Sequence, residues 1–436
     1  MIDSRTPFRW LGWLAQSMPR TRWIGVWRLA RPHVLPPIKQ DNIMDTQNTP
    51  IHIKLWHKEF WMLAFAEFAL VASICMLAII APERSSALGL DLKETGWMAM
   101  AYGVGLYLLG PFCNYLVQTY RRNVVCLLMM TVLAMLLFGL SWLSVHALPL
   151  GHRATVGLVL LSSLLVGATF GLSQMLLVST LVIDKCESFL RTEANHHVAW
   201  FGRFALSVGP CLALLLTAWS KTASILGVGF AVAAILLVRM VSFPFRTPDD
   251  DVPLLSLDRF FLPRAFRLFL NLLPVAMVMG MLLSVERQPL FYALLMGGFF
   301  LALLAEKYVF ANAELASECV SGLICMLTAL AMLLLRGEMA EVHVIAPVLL
   351  GFSAGIIGSR FLLFFVKLSD HCQRGTSQST YVLAWESGLA FGLAAGFGLF
   401  HAHPSRVYQC GIVLTVAALA FYLLYVHPWY MRNKSR

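Results

Sequence analysis

The sequence predicts an all-α integral membrane protein made of two six-helix bundles related by an internal repeat. Three observations carry this. Of 436 residues, 59% are hydrophobic and only 13% are charged, about half the ~25% charge of a soluble chain, with a mean hydropathy of +0.73. That leaves too little polar surface to cover a water-soluble particle, whereas a lipid-facing exterior needs none. Apolar runs near or above ~18 residues, long enough to cross a bilayer, recur along the chain. Helices satisfy their own backbone in lipid, and the ~10-residue alternation of a membrane β-barrel is absent. Finally, stretches of the first half return in order in the second.

The elements follow from the N-terminus. Residues 1–50 form a basic segment; within 1–43 lie Arg5, Arg9, Arg20, Arg22, Arg28, Arg31 and Lys39 with Trp10, Trp13, Trp23 and Trp27. This suits an amphipathic stretch on anionic lipid. Alternatively Met44 is the true start. The six spans of the first bundle, within 51–243, are expected at 58–82, 96–118, 124–146, 155–183, 196–219 and 221–243. A linker at 244–263 holds Asp249, Asp250 and Asp251, then Leu254, Leu255 and Phe260, and part of it is expected to lie along the membrane surface. The second bundle, within 264–430, has spans at 264–285, 288–308, 316–336, 343–367, 376–401 and 405–427. Glu306, Lys307, Glu314 and Glu318 crowd the junction of spans eight and nine. Trp56, Trp61, Trp429 and Tyr430 stand where aromatic belts form.

The net charge is +10. In a soluble chain this would suggest nucleic acid; here it reflects Lys and Arg on cytoplasmic loops. Lys54, Lys58, Arg121, Arg122, Lys185, Arg191, Arg239 and Arg246, with their counterparts from Arg259 to Arg436, outnumber Arg84, Lys93, Arg153, Lys221, Arg287, Arg336 and Arg406 on the other side. Both termini are therefore expected in the cytoplasm, in a multi-pass plasma membrane of the bacterial inner-membrane type. The nine cysteines show no CxxC pair and read as free apolar residues.

The repeat is explicit. Thr131–Leu137 (TVLAMLL) returns as Thr328–Leu334 (TALAMLL), and Val145-His146 as Val342-His343, both at an offset of 197. Gly167 and Gly171 return as Gly351 and Gly355 at an offset of 184. Asp184-x-Cys186 then matches Asp370-x-Cys372, and Ala199-Trp200 matches Ala384-Trp385. Two parallel six-helix halves follow, and such repeats are typical of transporters that hold solute between them and rock alternately.

With these spans, halves, central linker and cytoplasmic ends, residues 51–430 resemble the major facilitator superfamily. Its members carry a Gly-x-x-x-Asp-Arg-x-Gly-Arg-Arg signature after span two. Here Gly110-Pro-Phe-Cys-Asn114 occupies the start and Arg121-Arg122 the end, after a longer insert. The resemblance implies a gating loop at Gly110, Asn114, Arg121 and Arg122; because Asn114 replaces the acid, no ion-pair latch forms there. Gly209-Pro210 in span five is similar to the glycine-proline motif of drug/proton antiporters, a more distant resemblance that implies efflux. Gly388, Gly392 and Gly396 in span eleven, and Gly96, Gly103 and Gly110 in span two, make close-packing faces. These suit helices that slide between halves, or ordinary tight packing.

Charges inside spans are costly and tend to face a cavity. Glu67 lies about ten residues, ~15 Å, into span one. In the resembled family a span-one acid often couples protons, and a buried carboxyl can take up and release one; the plain alternative is a neutral or Arg-paired structural group. Glu386 is similarly deep in span eleven, with a proton or substrate role, and Arg203 and Arg360 are its candidate partners. Arginine does not titrate, so either would fix a carboxylate or hold an anionic group, and Arg360 has the further option of snorkelling to the surface. Trp200 and Trp385 are repeat equivalents that line a cavity or pack. The loop from Asp184 to His197 has metal-ligand residue types but no ligand spacing, so a gate is expected, with Asn195 or Thr192 capping span five.

No phosphate-binding GxxxxGK[ST] loop or nucleophile elbow occurs, so neither an ATP-driven pump nor an enzyme is expected, and no cofactor, metal or nucleic acid. The expected function is secondary transport by alternating access, proton-coupled and exporting a small organic molecule, from a monomer whose partners are solute, protons and lipid bilayer. Uptake of a sugar or anionic metabolite is the second reading. A non-transporting receptor or assembly factor, which the substitution of Asn114 favours, is the third.

Overall fold

The computed structural model describes residues 54–146, 151–187, 189–216, 220–243, 252–310 and 314–434. The basic segment up to residue 53 and Asp249–Asp251 lie outside them. The described residues form twelve principal helices. α1 is Lys58–Ala87. α2 is Leu92–Leu108, carried on by a 3-10 turn Gly110–Phe112 and a short helix Cys113–Thr119. α3 is Arg122–Val145, and α4 is His152–Leu176, prolonged by a π turn Leu177–Leu181. α5 is Arg191–Leu215 and α6 Ser220–Arg239. The second half has α7 Phe266–Val285, α8 Pro289–Tyr308, α9 Leu315–Arg336, α10 Ala340–Leu368, α11 Arg374–Gly398 and α12 Pro404–Phe421, which continues to Asn433.

Local chemistry sets several boundaries. Asp91 and Glu94 form a capping box at the start of α2, satisfying two otherwise orphaned backbone donors. Pro289 and Pro404 open α8 and α12, where a missing N–H costs nothing. The expected cap of span five is corrected. α5 starts at Arg191 after Leu190 without a side-chain cap, so Thr192 and Asn195 lie inside its first turns. The crowded junction of spans eight and nine resolves cleanly, with α8 ending at Tyr308 and α9 starting at Leu315.

Ten of the helices are long and apolar enough to cross a membrane, and the apolar part of α6, Ala223–Arg239, is shorter. α11 falls outside that set for a chemical reason. It buries Thr376, Ser377, Gln378, Ser379, Thr380, Glu386 and Ser387, which bundle neighbours can satisfy and lipid cannot.

The repeat is visible in the packing. In the first half α1 packs on α5 and α6, α2 on α4, and α3 on α4 and α6. Advancing each helix by six gives the pairs observed in the second half: α7 on α11 and α12, α8 on α10, and α9 on α10 and α12. Glycines repeat the same close approach. A Cβ on Gly105 or Gly167 would strike the backbone carbonyls of Leu164 or Tyr102, and one on Gly298 or Gly351 those of Val348 or Leu295. The halves meet through α2 with α11 and, in the symmetric position, α5 with α8.

The two expected sliding faces part company. Gly388, Gly392 and Gly396 abut Ala276, Met277 and Ser284 of α7, inside the second half. Gly96 and Gly103 abut Gly398 and Phe391 of α11, across the halves.

The described end of the linker is tied to the helices of both halves through its backbone. The Ser256 amide donates to the Pro111 carbonyl (3.0 Å), the Arg259 amide to Thr376 Oγ1 (2.9 Å) and the Leu262 amide to Thr380 Oγ1 (2.8 Å). Phe260 and Leu262 are buried, with the Phe260 ring where a Cβ of residue 110 would stand. The strand of linker thus stitches the end of α2 to the start of α11, while Leu254 and Leu257 stay exposed. This face is called the linker side below, and the opposite one the far side.

Candidate functional site

Between the halves, two carboxyls share one amide. Glu67 from α1 and Gln174 from α4 belong to the first half, Glu386 from α11 to the second, and all three are buried. Gln174 Nε2 donates to Glu67 Oε1 at 2.7 Å and to Glu386 Oε1 at 3.3 Å. The two oxygens are therefore at most 6.0 Å apart, the sum of those bonds. Glu67 Oε2 and Gln174 Oε1 have no hydrogen-bond partner. Gly202 of α5 makes room here: a Cβ on it would sit 3.5 Å from Glu67 Oε1. Among the described residues no ion pair to either carboxyl occurs.

The expected partners of Glu386 are corrected on this point. Arg360 does not reach it, nor does it snorkel; it pairs with buried Glu318 of α9, within the second half. Arg203 is buried between the halves, its guanidinium 4.6 Å from the centre of the Trp200 ring. Its Nη2 donates to Tyr381 Oη of α11 at 2.9 Å, and its Nε and Nη1 have no acceptor. A residue larger than Gly358 would collide with it.

Around Arg203 lies a polar junction on the linker side. Trp200 Nε1 donates to His196 Nε2 (3.2 Å), the same nitrogen that faces Glu306 Oε2 of α8 at 3.4 Å. That nitrogen either accepts from Trp200 or, protonated, donates to Glu306; it does not do both. Ser359 Oγ donates to Glu306 Oε1 at 2.6 Å. Trp200 packs on Phe299. Trp200 and Trp385 are both buried, and neither lines the cavity between the halves described below.

The residues of the gating-loop expectation are dispersed. Gly110 admits Phe260. Asn114 is buried with its Oδ1 unpartnered. Arg121 precedes α3, and Arg122 pairs with Asp184 at 2.5 Å inside the first half. The contacts that join the halves on this side include the linker, His196–Glu306, Arg203–Tyr381 and the packing of Gly375 on the Ser179 carbonyl.

On the far side of the carboxyls is a cavity of about 110 Å³ between the halves. Its walls include Ala78, Ala99, Val166, Leu283, Leu389, Leu393 and Phe397, with Glu386 and Tyr102 at one end and Arg84 at the other. Tyr102 Oη has no partner. Arg84 donates from Nε to Ser224 Oγ and from Nη2 to Ser141 Oγ. Arg287, just after α7, crosses the halves to the Ile79 carbonyl.

Gln174 and Tyr102 did not stand out in sequence, and Glu306 and Glu318 did so only as charges at the junction of spans eight and nine. Gln174 alone carried a usable signal, a carboxamide deep inside an otherwise apolar span, where polar groups tend to be functional.

No protein-family model matches the sequence, and no curated protein matches it. Solved structures do. The human organic anion transporter MFSD10 (TETRAN) superposes with a TM-score of 0.61 at 14% identity, over 84% of this chain and 99% of that one. The nucleoside transporter NupG gives 0.60 at 12% identity, over 84% and 99%. A bacterial homologue of the human lysosomal transporter Spinster, inward-facing and occupied, gives 0.61 at 14%, over 86% and 98%. At such identities the likeness shows the fold: this chain has the six-plus-six helical fold of major facilitator superfamily transporters.

Proposed function

We propose that this chain is a secondary active transporter that moves a small organic solute by alternating access of its two halves, coupled to protons held at Glu67 and Glu386, in the exporting direction. The observation that carries this reading is the Gln174 amide bound at once by carboxyls of opposite halves. Two ionised carboxylates at most 6.0 Å apart repel by about 3 kcal/mol at an effective dielectric constant of ~20. Proton occupancy therefore changes how favourably the halves approach each other at this point. A ligand or proton acts on such an equilibrium only through its different affinity for the two arrangements, and here the difference is built into the interface. The chain itself would lie in a membrane with both termini on the linker side, which the loop charges place in the cytoplasm.

Glu67→Gln keeps the shape and the bond to Gln174 but removes the titrating group. It should abolish solute movement driven by a pH gradient in proteoliposomes, with folding unchanged by size-exclusion chromatography and circular dichroism. Normal driven transport in that variant contradicts the assignment.

One observation favours a second reading, uptake of an anionic metabolite. A buried guanidinium with two nitrogens lacking acceptors has hydrogen-bond donors to spare, and an anion at Arg203 would accept from them. Counterflow over a compound library separates the readings by the charge of the solute accepted.

A further inference from the structure

We propose that the cavity beside Glu386 is a binding site for a small protonated organic amine, whose ammonium meets Glu386 and whose apolar body fills the far-side chamber. The inference rests on the transporter reading above and names its solute class.

The acidic and unpartnered polar groups stand at one end of the chamber. There the Glu386 carboxyl and the unpartnered Tyr102 hydroxyl line the space, with the unpartnered Glu67 Oε2 and Gln174 Oε1 behind them. A carboxylate and a carboxamide oxygen accept hydrogen bonds and donate none, so the complementary group is a donor. No basic side chain pairs with either carboxyl among the described residues, so a cationic donor also meets uncompensated charge. Elsewhere the lining has Arg84, Ser85, Thr95 and Ser163 as its polar side chains. Ser85 is engaged with Met98 and Thr95 with the Asp91 carbonyl, and Arg84 has its Nε and Nη2 on Ser224 and Ser141. The remaining walls are mainly aliphatic. A polyol would leave its hydroxyls unpaired, at about 1–3 kcal/mol each, and an anion would face the carboxyls.

Size narrows the class. An apolar void of about 150 Å³ takes up benzene, so a chamber of about 110 Å³ suits a body of roughly four to five carbon atoms. Because ammonium and proton satisfy the same carboxyl, each displaces the other, and amine binding releases a proton. This single-site competition is what exchange of solute for protons requires.

The test is titration calorimetry of the purified full-length protein with n-butylamine, 1-butanol and butyrate, which share shape and differ in charge. Butylamine should bind at least tenfold tighter than butanol, a 1.4 kcal/mol difference, with heats that reveal proton release when the buffer is varied. Butyrate should not bind. Glu386→Gln should erase the preference of amine over alcohol, and Ala78→Phe, which fills the chamber, should abolish binding of both. Equal binding of amine and alcohol, a preserved preference in Glu386→Gln, or no binding of any ligand overturns the inference. If Glu386→Gln does not fold, the wild-type selectivity and Ala78→Phe decide. Failure here is distinguishable from failure of the transporter reading. Alternating access itself is overturned separately, if spin labels placed across the halves detect no exchange between two arrangements.

Discussion

Two buried acids in this bundle meet opposite fates. Glu318 of α9 is neutralised within its own half by Arg360 of α10. Glu386 of α11, at comparable burial, meets no cation among the described residues. It shares a neutral amide with Glu67 across the interface instead. An acid with a fixed counter-charge in the same rigid unit is part of the scaffold, because nothing about it changes when the halves move. An acid without one must find a proton or a cationic solute, and if its neighbour lies in the other half that choice alters the fit of the halves.

The comparison can be broken at several places. The largest effect on stability is expected at the scaffold pair. Arg360→Met should cost about 3–5 kcal/mol by leaving a buried unpaired charge, and adding Glu318→Leu should restore most of it, read as thermal unfolding in detergent. If Arg360→Met is neutral, the pair is not the structural member of the comparison. Gln174→Leu removes the shared donor and should cost about 1–3 kcal/mol, while weakening the pH dependence of exchange between halves; a variant with unchanged pH dependence would show that the amide does not link the acids. Gly110→Ala forces the Phe260 ring out of its seat and should destabilise closure of the linker side by about 1–3 kcal/mol, the usual range for overpacking. Labelled cysteines flanking the linker would report this.

The smallest effect is a pH slope at the far side. Glu286, just beyond α7, accepts from Tyr408 Oη at 2.7 Å, and burial holds its carboxyl above the usual carboxylate range, with the Tyr408 bond and His343 opposing. A raised native value means stability that is fully present below the ordinary carboxyl range and falls as pH rises through the native value. Glu286→Gln should flatten that part of the stability–pH curve without changing transport.

Much of this was legible in the residues. Span length, the small set of intramembrane charges and the recurring Gly167/Gly351 pattern led to the bundle, the repeat, and Glu67 with Glu386. Linear spacing gives depth in the membrane but not which neighbour a side chain faces, and this is where the reading fell short. Arg203, Arg360 and Glu386 are at similar depths, yet helix rotation sends Arg360 to Glu318, Arg203 to Tyr381 and Glu386 to Gln174. Glu318 looked like a junction residue until α9 proved to start at Leu315. The docking of the linker backbone was illegible for a related reason. Leu254, Leu255 and Phe260 among polar residues suggest a membrane surface, but the hydroxyls of Thr376 and Thr380 that capture its backbone lie more than a hundred residues away.

The central claim is that protons at Glu67 and Glu386 bias the arrangement of the two halves. Its most direct test is the distance distribution between spin labels on the far-side ends of α1 and α7, recorded across pH in wild type and in the double variant Glu67→Gln/Glu386→Gln. Wild type should show two populations whose ratio shifts with pH by at least tenfold, and the variant a single pH-independent ratio. A wild-type ratio that ignores pH, or a variant that shifts as wild type does, would contradict it.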